Sequence, residues 1–382
     1  RSDYDIVVIE GAGSPAEVNL KEREIVNMRV ARLAGAPVLL VGDIDRGGVF
    51  ASIVGTLELL TEEERNLVKG QVINKFRGDL SLLKPGLDFL EKRTGRPVLG
   101  VVPYVRSINI AQEDSVYLDE RPACRGGPGI DIAVIRLPHI SNYDDFDPLE
   151  GPGCTVRYVS KSSELGSPDL VILPGTKSTI ADLVHLRQQG LDRAIIWQAM
   201  AATPVIGICG GYQMLGKTIS DPQQVESGER TVPGLGLLNI VTIFGPVKST
   251  TQVRARVVAD WGLFERLKDM EVTGYEIHMG QTGGENARVV FQIVETPEGK
   301  AGYPDGAASD DGLVFGTYIH GLFHNAVFTR ALLDRLRQLR GLPAGVAASV
   351  DRDGQYDDLA RIVRQSLNMR EVYRIVLGKE SC

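Results

Sequence analysis

The chain has 382 residues and a formal net charge of −7, enough length for two domains with real cores and an acidic balance that argues against a general nucleic-acid binder or a protein held on anionic membranes. Its four cysteines, Cys124, Cys154, Cys209 and Cys382, have neither paired nor metal-type spacing and read as the reduced thiols of a cytoplasmic protein. No apolar run approaches membrane-spanning length, and no signal peptide opens the chain.

Arg1 runs almost at once into Asp5-Ile-Val-Val-Ile-Glu10, a buried-type strand ending in an acid and followed by Gly11-Ala-Gly13. Val38 to Asp43 repeats that design, Gln71 to Phe76 is a third strand with Asn74 and Lys75 at its tip, and Val98 to Val102 a fourth. Amphipathic stretches over 48–60 and 80–93 fit between them. Strands alternating with helices predict a parallel sheet whose ligands bind at the carboxyl ends of the strands. Glu10 and Asp43 at such ends suit Mg²⁺, Gly11 and Gly13 let backbone approach phosphates, and Asn74 and Lys75 suit a base edge. Each signal is equally that of a helix N-cap; together they point to a nucleotide site of the P-loop type. The phosphate loop expected on the first strand and helix is absent from these residues, so the start reads as the inside of a nucleotide domain.

Pro122 to Gly129 is a linker by composition. A second strand series opens at Asp131–Ile135 and continues through Thr155–Ser160 and Asp169–Leu173, the last ending in Pro174-Gly-Thr-Lys-Ser178 before a helix from Thr179. Then comes Pro204-Val-Ile-Gly-Ile-Cys209-Gly-Gly-Tyr-Gln-Met-Leu-Gly216. A short apolar strand, a cysteine between small residues and a helix-forming run make a nucleophile elbow, where the helix N-terminus favours thiolate and offers a backbone N–H to an oxyanion. The bland alternative is a buried structural cysteine. Gly211 to Thr218 also matches the phosphate-loop expression, but the turn residues Ser220-Asp-Pro222 and Ser227-Gly228 leave no helix after Lys217-Thr218; the helix is expected to end at Gly216. Further β-type segments cover 235–243, 253–259, 272–279 and 289–295. Gly312 to Phe323 carries His320, and amphipathic helices over 325–340 and 356–377 close the chain.

A thiolate needs a base and an oxyanion pocket. Of five histidines, His320 follows an apolar run after Gly316 and is the leading base; His139 and His278 also lie near strand ends, while His185 and His324 read as surface residues. A satisfied structural histidine remains the alternative at His320. The N–H of Gly210 and one from the turn at Gly175 are the natural oxyanion donors, and Gln213, one turn past Cys209, is placed to touch an amide substrate.

The segments around Cys209 and His320 resemble class I glutamine amidotransferases of the cobalamin pathway. Val8–Glu17, Asp43–Phe50, Ile73–Asp79, Leu137–Asn142 and Gly274–Gly280 narrow the resemblance to the cobyric acid synthase family, through nearly the whole chain. It implies an α/β chain of two domains: a P-loop-type, dethiobiotin-synthetase-like parallel-sheet domain lacking its N-terminal part over 1–121, and a flavodoxin-like glutaminase domain over 130–325. Residues 122–129 link them, and 326–382 form a C-terminal helical segment. The implied reaction is ATP- and glutamine-dependent amidation of the b, d, e and g carboxylates of adenosylcobyrinic acid a,c-diamide. Cys209 would form a γ-glutamyl thioester, His320 would shuttle the proton, ATP and Mg²⁺ would be cosubstrate and metal, and no prosthetic group is expected. Partners are glutamine, the corrinoid polycarboxylate and ATP, with no nucleic acid and no membrane; a homo-oligomer is compatible. Most class I glutaminases carry a Glu two residues after the histidine, where this chain has Leu322. Glu276 is therefore the candidate for orienting His320, with a solvent-facing strand position as its alternative. Without a phosphate loop, the chain alone is expected to bind ATP poorly and not to complete the amidation. The a,c-diamide synthase type, a cysteine hydrolase of the same fold and a non-enzymatic nucleotide-binding module are the competing readings.

Overall fold

The computed structural model describes residues 4–105, 129–151, 153–228, 230–343 and 352–378. The expected linker lies outside these residues apart from Gly129, as do Cys124 and Cys382. The chain divides into two compact units, 1–110 with 351–382, and 111–350.

In the first unit, Asn27–Ala34 (α1) precedes Val38–Asp43 (β1), Val49–Leu59 (α2), Glu62–Leu67 (α3), Val68–Phe76 (β2), Leu80–Thr94 (α4) and Val98–Pro103 (β3). The strands form a parallel sheet in the order β1-β2-β3. Its register sets Asp43 beside Asn74, so the two strand ends chosen from sequence are neighbours. Local signals fix the helix starts: Thr61 and Glu64 form a capping box on α3, and Asp79 accepts from Ser81 N at 2.8 Å on α4. The run Asp5–Glu10 does not form the expected strand. It has no ladder partner among the described residues, and Ile6, Val7, Val8 and Ile9 are exposed, because a run becomes a strand only when a neighbour takes up its backbone hydrogen bonds.

In the second unit, Ile130–Ile135 (β4), Cys154–Val159 (β5), Ser162–Leu165 (α5), Leu170–Leu173 (β6), Thr179–Gln188 (α6), Leu191–Met200 (α7), Val205–Ile208 (β7) and Gly210–Leu215 (α8) come first. Thr218–Ser220 (β8), Thr231–Pro233 (β9), Val241–Val257 (β10), Glu271–Gly283 (β11), Phe291–Thr296 (β12), Gly299–Asp305 (β13), Ala307–Ala308 (β14), Val314–Thr317 (β15), Ile319–His320 (β16) and Ala326–Leu339 (α9) follow. One six-stranded sheet has the order β14-β15-β7-β6-β4-β5, parallel except for β14. Every residue of β6, β7 and β15 is buried, as parallel strands covered on both faces require. A second sheet, β13-β12-β10-β11-β16, is joined by β8 and β9. Here β10 is one 17-residue strand where two segments were expected, bent by a register shift between Phe244 and Ser249.

The C-terminal stretch 326–382 is not one closing segment. α9 buries Phe328, Leu332 and Leu336 at four-residue spacing in the second unit's core. Arg352–Ser366 (α10) and Met369–Leu377 (α11) belong to the first unit, where Val363, Leu367, Val372 and Ile375 pack on Val72, Leu99 and Val102. Asn368 interrupts the expected single helix: its N–H donates to Leu99 O at 2.7 Å and its side chain caps α11.

Candidate active site

Cys209 sits between β7 and α8 with φ 51° and ψ −108°, a left-handed backbone that a side-chain-bearing residue adopts at a cost of roughly 1–3 kcal/mol. The surroundings hold it there. Its N–H donates to Thr317 O at 2.9 Å, and at Gly211 a Cβ would stand 2.0 Å from Leu173 O, so only glycine lets α8 pack this tightly on β6. Gly210–Leu215 is the short helix expected from the sequence, and β8 begins at Thr218, so no phosphate-loop helix follows Lys217. The sulfur is nearly buried and lies 3.4 Å from Ile277 O.

His320 comes from β16, which pairs with β11 so that His320 lies opposite Tyr275. The Cys209 side chain lies close enough to its imidazole to favour a charge on the ring. Its Nδ1 meets Asp145 Oδ2 at 2.7 Å, and Gly321 N donates to Asp145 Oδ1 at 2.8 Å. Burial opposes a charge on the ring, but the Asp145 hydrogen bond and the adjacent sulfur outweigh it and raise the pKa of His320 well above its ordinary value. A cysteine, a histidine and a carboxylate bonded to that histidine therefore stand together, the arrangement that a nucleophile, a base and an orienting group would require.

The orienting carboxylate is not Glu276. That side chain is buried and accepts from Tyr303 OH at 2.9 Å. The reason is strand parity: successive side chains on β11 point to opposite faces, and Tyr275 takes the face that meets His320, stacking on it with centroids 5.3 Å apart and planes at 17°. Nor does Glu276 face solvent. The carboxylate that serves, Asp145, lies on the 3-10 turn Tyr143–Leu149 just past the Leu137–Asn142 segment. Its sequence signal is only its place in the loop after a parallel strand, which it shares with Asp144 and Asp147.

The turn holding Gly175 packs on both halves of the dyad. A Cβ at Gly175 would lie 2.8 Å from His320 Cε1, and a Cβ at Gly210 would lie 3.3 Å from Thr176 N. This turn is zipped to the 137–142 loop by Ser141 N to Gly175 O at 2.9 Å and Lys177 N to His139 O at 3.0 Å. Gln213 departs from expectation. It is buried and internally engaged, accepting from Thr179 Oγ1 at 3.1 Å and donating to Tyr318 OH at 3.0 Å, so its amide is committed to the protein. His278 stacks on Tyr318, and burial lowers its pKa. His139 is bonded to the buried Asp182 at 2.7 Å, and His324 is exposed.

In the first unit, Asp43 Oδ2 pairs with Lys75 Nζ at 2.9 Å while Oδ1 accepts Asp45 N at 2.9 Å. Burial works against its charge, but these partners hold its pKa below the ordinary carboxylate value. Lys75 has a left-handed backbone at φ 59°, with its N–H on Asn74 Oδ1 at 2.9 Å. Asp43, Asn74 and Lys75 thus form one cluster. Glu10 is exposed, and the Gly11–Gly13 loop is gripped by a residue the sequence reading did not single out: Asn27 accepts from Ala12 N at 3.0 Å and donates to Ala12 O at 2.7 Å. Among the described residues, no group of three or more His, Cys, Asp and Glu side chains is arranged to hold a metal ion. No described helix is long and apolar enough to cross a membrane.

Residues 131–328 match the model of the CobB/CobQ-like glutamine amidotransferase domain, and residues 1–112 match that of an AAA domain. A cobyric acid synthase from Dehalococcoides mccartyi strain CBDB1 is 57% identical over 98% of this chain and 75% of its own length. The cobyric acid synthase of Desulforamulus reducens is 49% identical over 98% of this chain and 74% of its own length. The chain belongs to the cobyric acid synthase family. That family is one of glutamine-dependent amidotransferases in cobalamin biosynthesis, and the residues around Cys209 and His320 lie within the part that matches its glutaminase domain.

Proposed function

We propose that this chain serves the family's amidation of corrin carboxylates as a glutaminase centred on Cys209, the amidation being that of the b, d, e and g side chains of adenosylcobyrinic acid a,c-diamide to give adenosylcobyric acid. One observation carries the reading: a cysteine on a strained elbow stands beside a histidine whose Nδ1 a buried carboxylate holds. The Cys209 sulfur, as thiolate, attacks the side-chain carbonyl of glutamine. The developing oxyanion accepts from Gly210 N–H and from the turn at Gly175, donors whose value lies in being fixed beforehand. His320 gives its proton to the leaving ammonia, leaving a γ-glutamyl thioester; it then takes a proton from water, whose attack releases glutamate and the sulfur. Asp145 fixes which imidazole nitrogen carries the proton throughout.

The ammonia requires an acceptor, because a free carboxylate resists amines until one oxygen becomes a leaving group. The first unit would take part in supplying it, ATP converting a corrin carboxylate to an acyl phosphate from which ammonia then displaces phosphate to form the amide. Asn74, Lys75 and the Gly11–Gly13 loop are its proposed nucleotide contacts. Mg²⁺, usually held by one or two carboxylates together with the phosphates, would neutralise phosphate charge there, and Glu10 and Asp43 are the carboxylates offered to it. Asp43 already pairs with Lys75, so cation and ammonium would share one acid. The reading makes this a cytoplasmic enzyme of small molecules, with no prosthetic group, nucleic-acid partner or membrane partner.

The test is glutamine hydrolysis by the chain and by Cys209→Ala. Loss of at least about a thousandfold is expected, in line with removal of a covalent nucleophile; hydrolysis that continues unchanged in the variant would sink the assignment.

A further inference from the structure

β11 passes directly over the dyad, and two of its residues meet the reacting groups. Ile277 brings its carbonyl to the Cys209 sulfur at 3.4 Å. Tyr275, directly opposite His320 in the ladder, lays its ring on the imidazole at 5.3 Å between centroids and 17° between planes. The close crossing needs Gly274, where a Cβ would stand 2.2 Å from His320 O. The Tyr275 hydroxyl is itself held by Asn142 Nδ2. Asn142, in left-handed backbone at φ 53°, is the residue from which the turn carrying Asp145 departs. A closed circuit results: His320 to Asp145, back along the turn to Asn142, across to Tyr275, and through the stacked rings to His320.

Resting on the assignment of Cys209 and His320 as the glutaminase dyad, we propose that Tyr275 is a positioning residue, its ring fixing the plane of the His320 imidazole while its hydroxyl ties that ring to the turn bearing Asp145. A single hydrogen bond at Nδ1 leaves the imidazole free to rock about it. A ring against one face removes that freedom, with Gly175 bordering the Cε1–Nε2 edge. The same face favours a positive charge, as a phenol ring does for a cation within about 6 Å of its centroid. Among the described residues, the charged and titratable groups facing His320 are Asp145 on the turn, Cys209 on the elbow and Tyr275 on β11, with His278 on β11 near enough to feel its charge.

The experiment compares Tyr275→Ile and Tyr275→Phe in the full chain, reading glutamine kcat and KM and the pH profile of Cys209 alkylation by iodoacetamide, with Cys209→Ala as control. Isoleucine suits a strand but has no ring face; phenylalanine keeps the face and loses the hydroxyl. Tyr275→Ile should lower kcat about 10- to 100-fold with KM within about twofold, as misplacement of a reacting group does, and move the alkylation profile to higher pH. Tyr275→Phe should retain at least about a fifth of kcat, the loss of one neutral hydrogen bond, and an unmoved profile. Three outcomes overturn the proposal: an unchanged kcat and profile in Tyr275→Ile, a loss confined to KM, or an equal loss in Tyr275→Phe. If the isoleucine variant does not fold, Tyr275→Leu, which also lacks a ring face, takes its place with the same expected and overturning outcomes. Hydrolysis that survives Cys209→Ala would instead refute the underlying dyad.

Discussion

The second unit contains two histidine–aspartate pairs built with the same bond, and comparing them shows what makes one a candidate for catalysis. His320 and Asp145 meet at 2.7 Å with side chains 1% and 3% exposed; His139 and Asp182 also meet at 2.7 Å, but the His139 side chain is 54% exposed. Asp182 accepts from His139 N, from its Nδ1 and from Thr176 Oγ1, so it clamps the 137–142 and 174–178 loops to α6. Asp145 does comparable work for Gly321 N but holds an imidazole that is buried, with the Cys209 side chain among its neighbours. In a medium of low dielectric the charge on His320 is felt by that sulfur almost unscreened; on His139 water weakens it. The bond is shared; the burial and the neighbour differ.

The largest test of this contrast exchanges each acid for its amide. Asp145→Asn should leave the fold in place yet lower the kcat for glutamine about 10²- to 10⁴-fold, because an amide favours the wrong imidazole tautomer. Asp182→Asn should cost stability, roughly 1–3 kcal/mol from a buried acceptor replaced by a donor, with kcat within about threefold. Steady-state kinetics and urea unfolding of both variants decide it: equal kinetic losses would erase the distinction. Next in size is Gly175→Ala. The added methyl would arrive 2.8 Å from His320 Cε1 and displace the ring, so a fall in kcat of about 10- to 100-fold is expected. A variant as fast as the parent would mean that the imidazole tolerates movement.

The reasons these features were or were not legible in the sequence are physical. Cys209 was legible because a strained elbow demands small neighbours that leave a local spelling, and the backbone at φ 51° bears it out. His320 was legible from its place at the end of a buried strand. Asp145 was not, because it lies 175 residues from His320, and nothing local distinguishes it from Asp144 or Asp147. Glu276 was the candidate because Leu322 stands where a Glu was expected, whereas the pleat sends the Glu276 side chain to the face away from His320. Gln213 looked like a substrate contact because helical spacing predicts direction, not whether partners such as Thr179 and Tyr318 already occupy the amide. The first three strands of the parallel sheet after residue 37 could be read from apolar runs, yet the run Asp5–Glu10, with the same spelling, pairs with nothing described. A strand is a property of two segments, and only one was visible. The break at Asn368 was hidden for a similar reason, since it depends on Leu99 accepting its N–H.

Another buried acid sharpens the comparison, because among the described residues it has no cationic partner. Asp305 accepts from Thr317 Oγ1 and, at 3.2 Å, from Tyr318 N. Burial, with Glu276 nearby, raises its pKa from 3.8 to about 7. The folded chain therefore binds a proton here more tightly than the unfolded one between about pH 4 and 7. Stability from this group is complete below pH 4, falls as pH rises through that window and is level above it. Urea unfolding at several pH values should show that downward slope, lessened but not abolished in Asp305→Asn, since burial raises Glu276 in the same direction. A slope unaltered by the substitution would place the titration elsewhere.

The smallest expected effect is the one most able to break the contrast. His139→Ala removes the exposed imidazole while Asp182 keeps the His139 backbone N–H and the Thr176 hydroxyl. Since the lost hydrogen bond is half in water, roughly 0.5–1 kcal/mol of stability should go, the lower part of the range for a single hydrogen bond, and kcat should stay within about twofold. Thermal unfolding and glutamine kinetics on one preparation give both numbers. A tenfold fall in kcat without a matching fall in stability would make the second pair part of the chemistry, and burial would then no longer be what separates them. A loss of stability alone would confirm that the same bond, moved to the surface, serves only to hold two loops against α6.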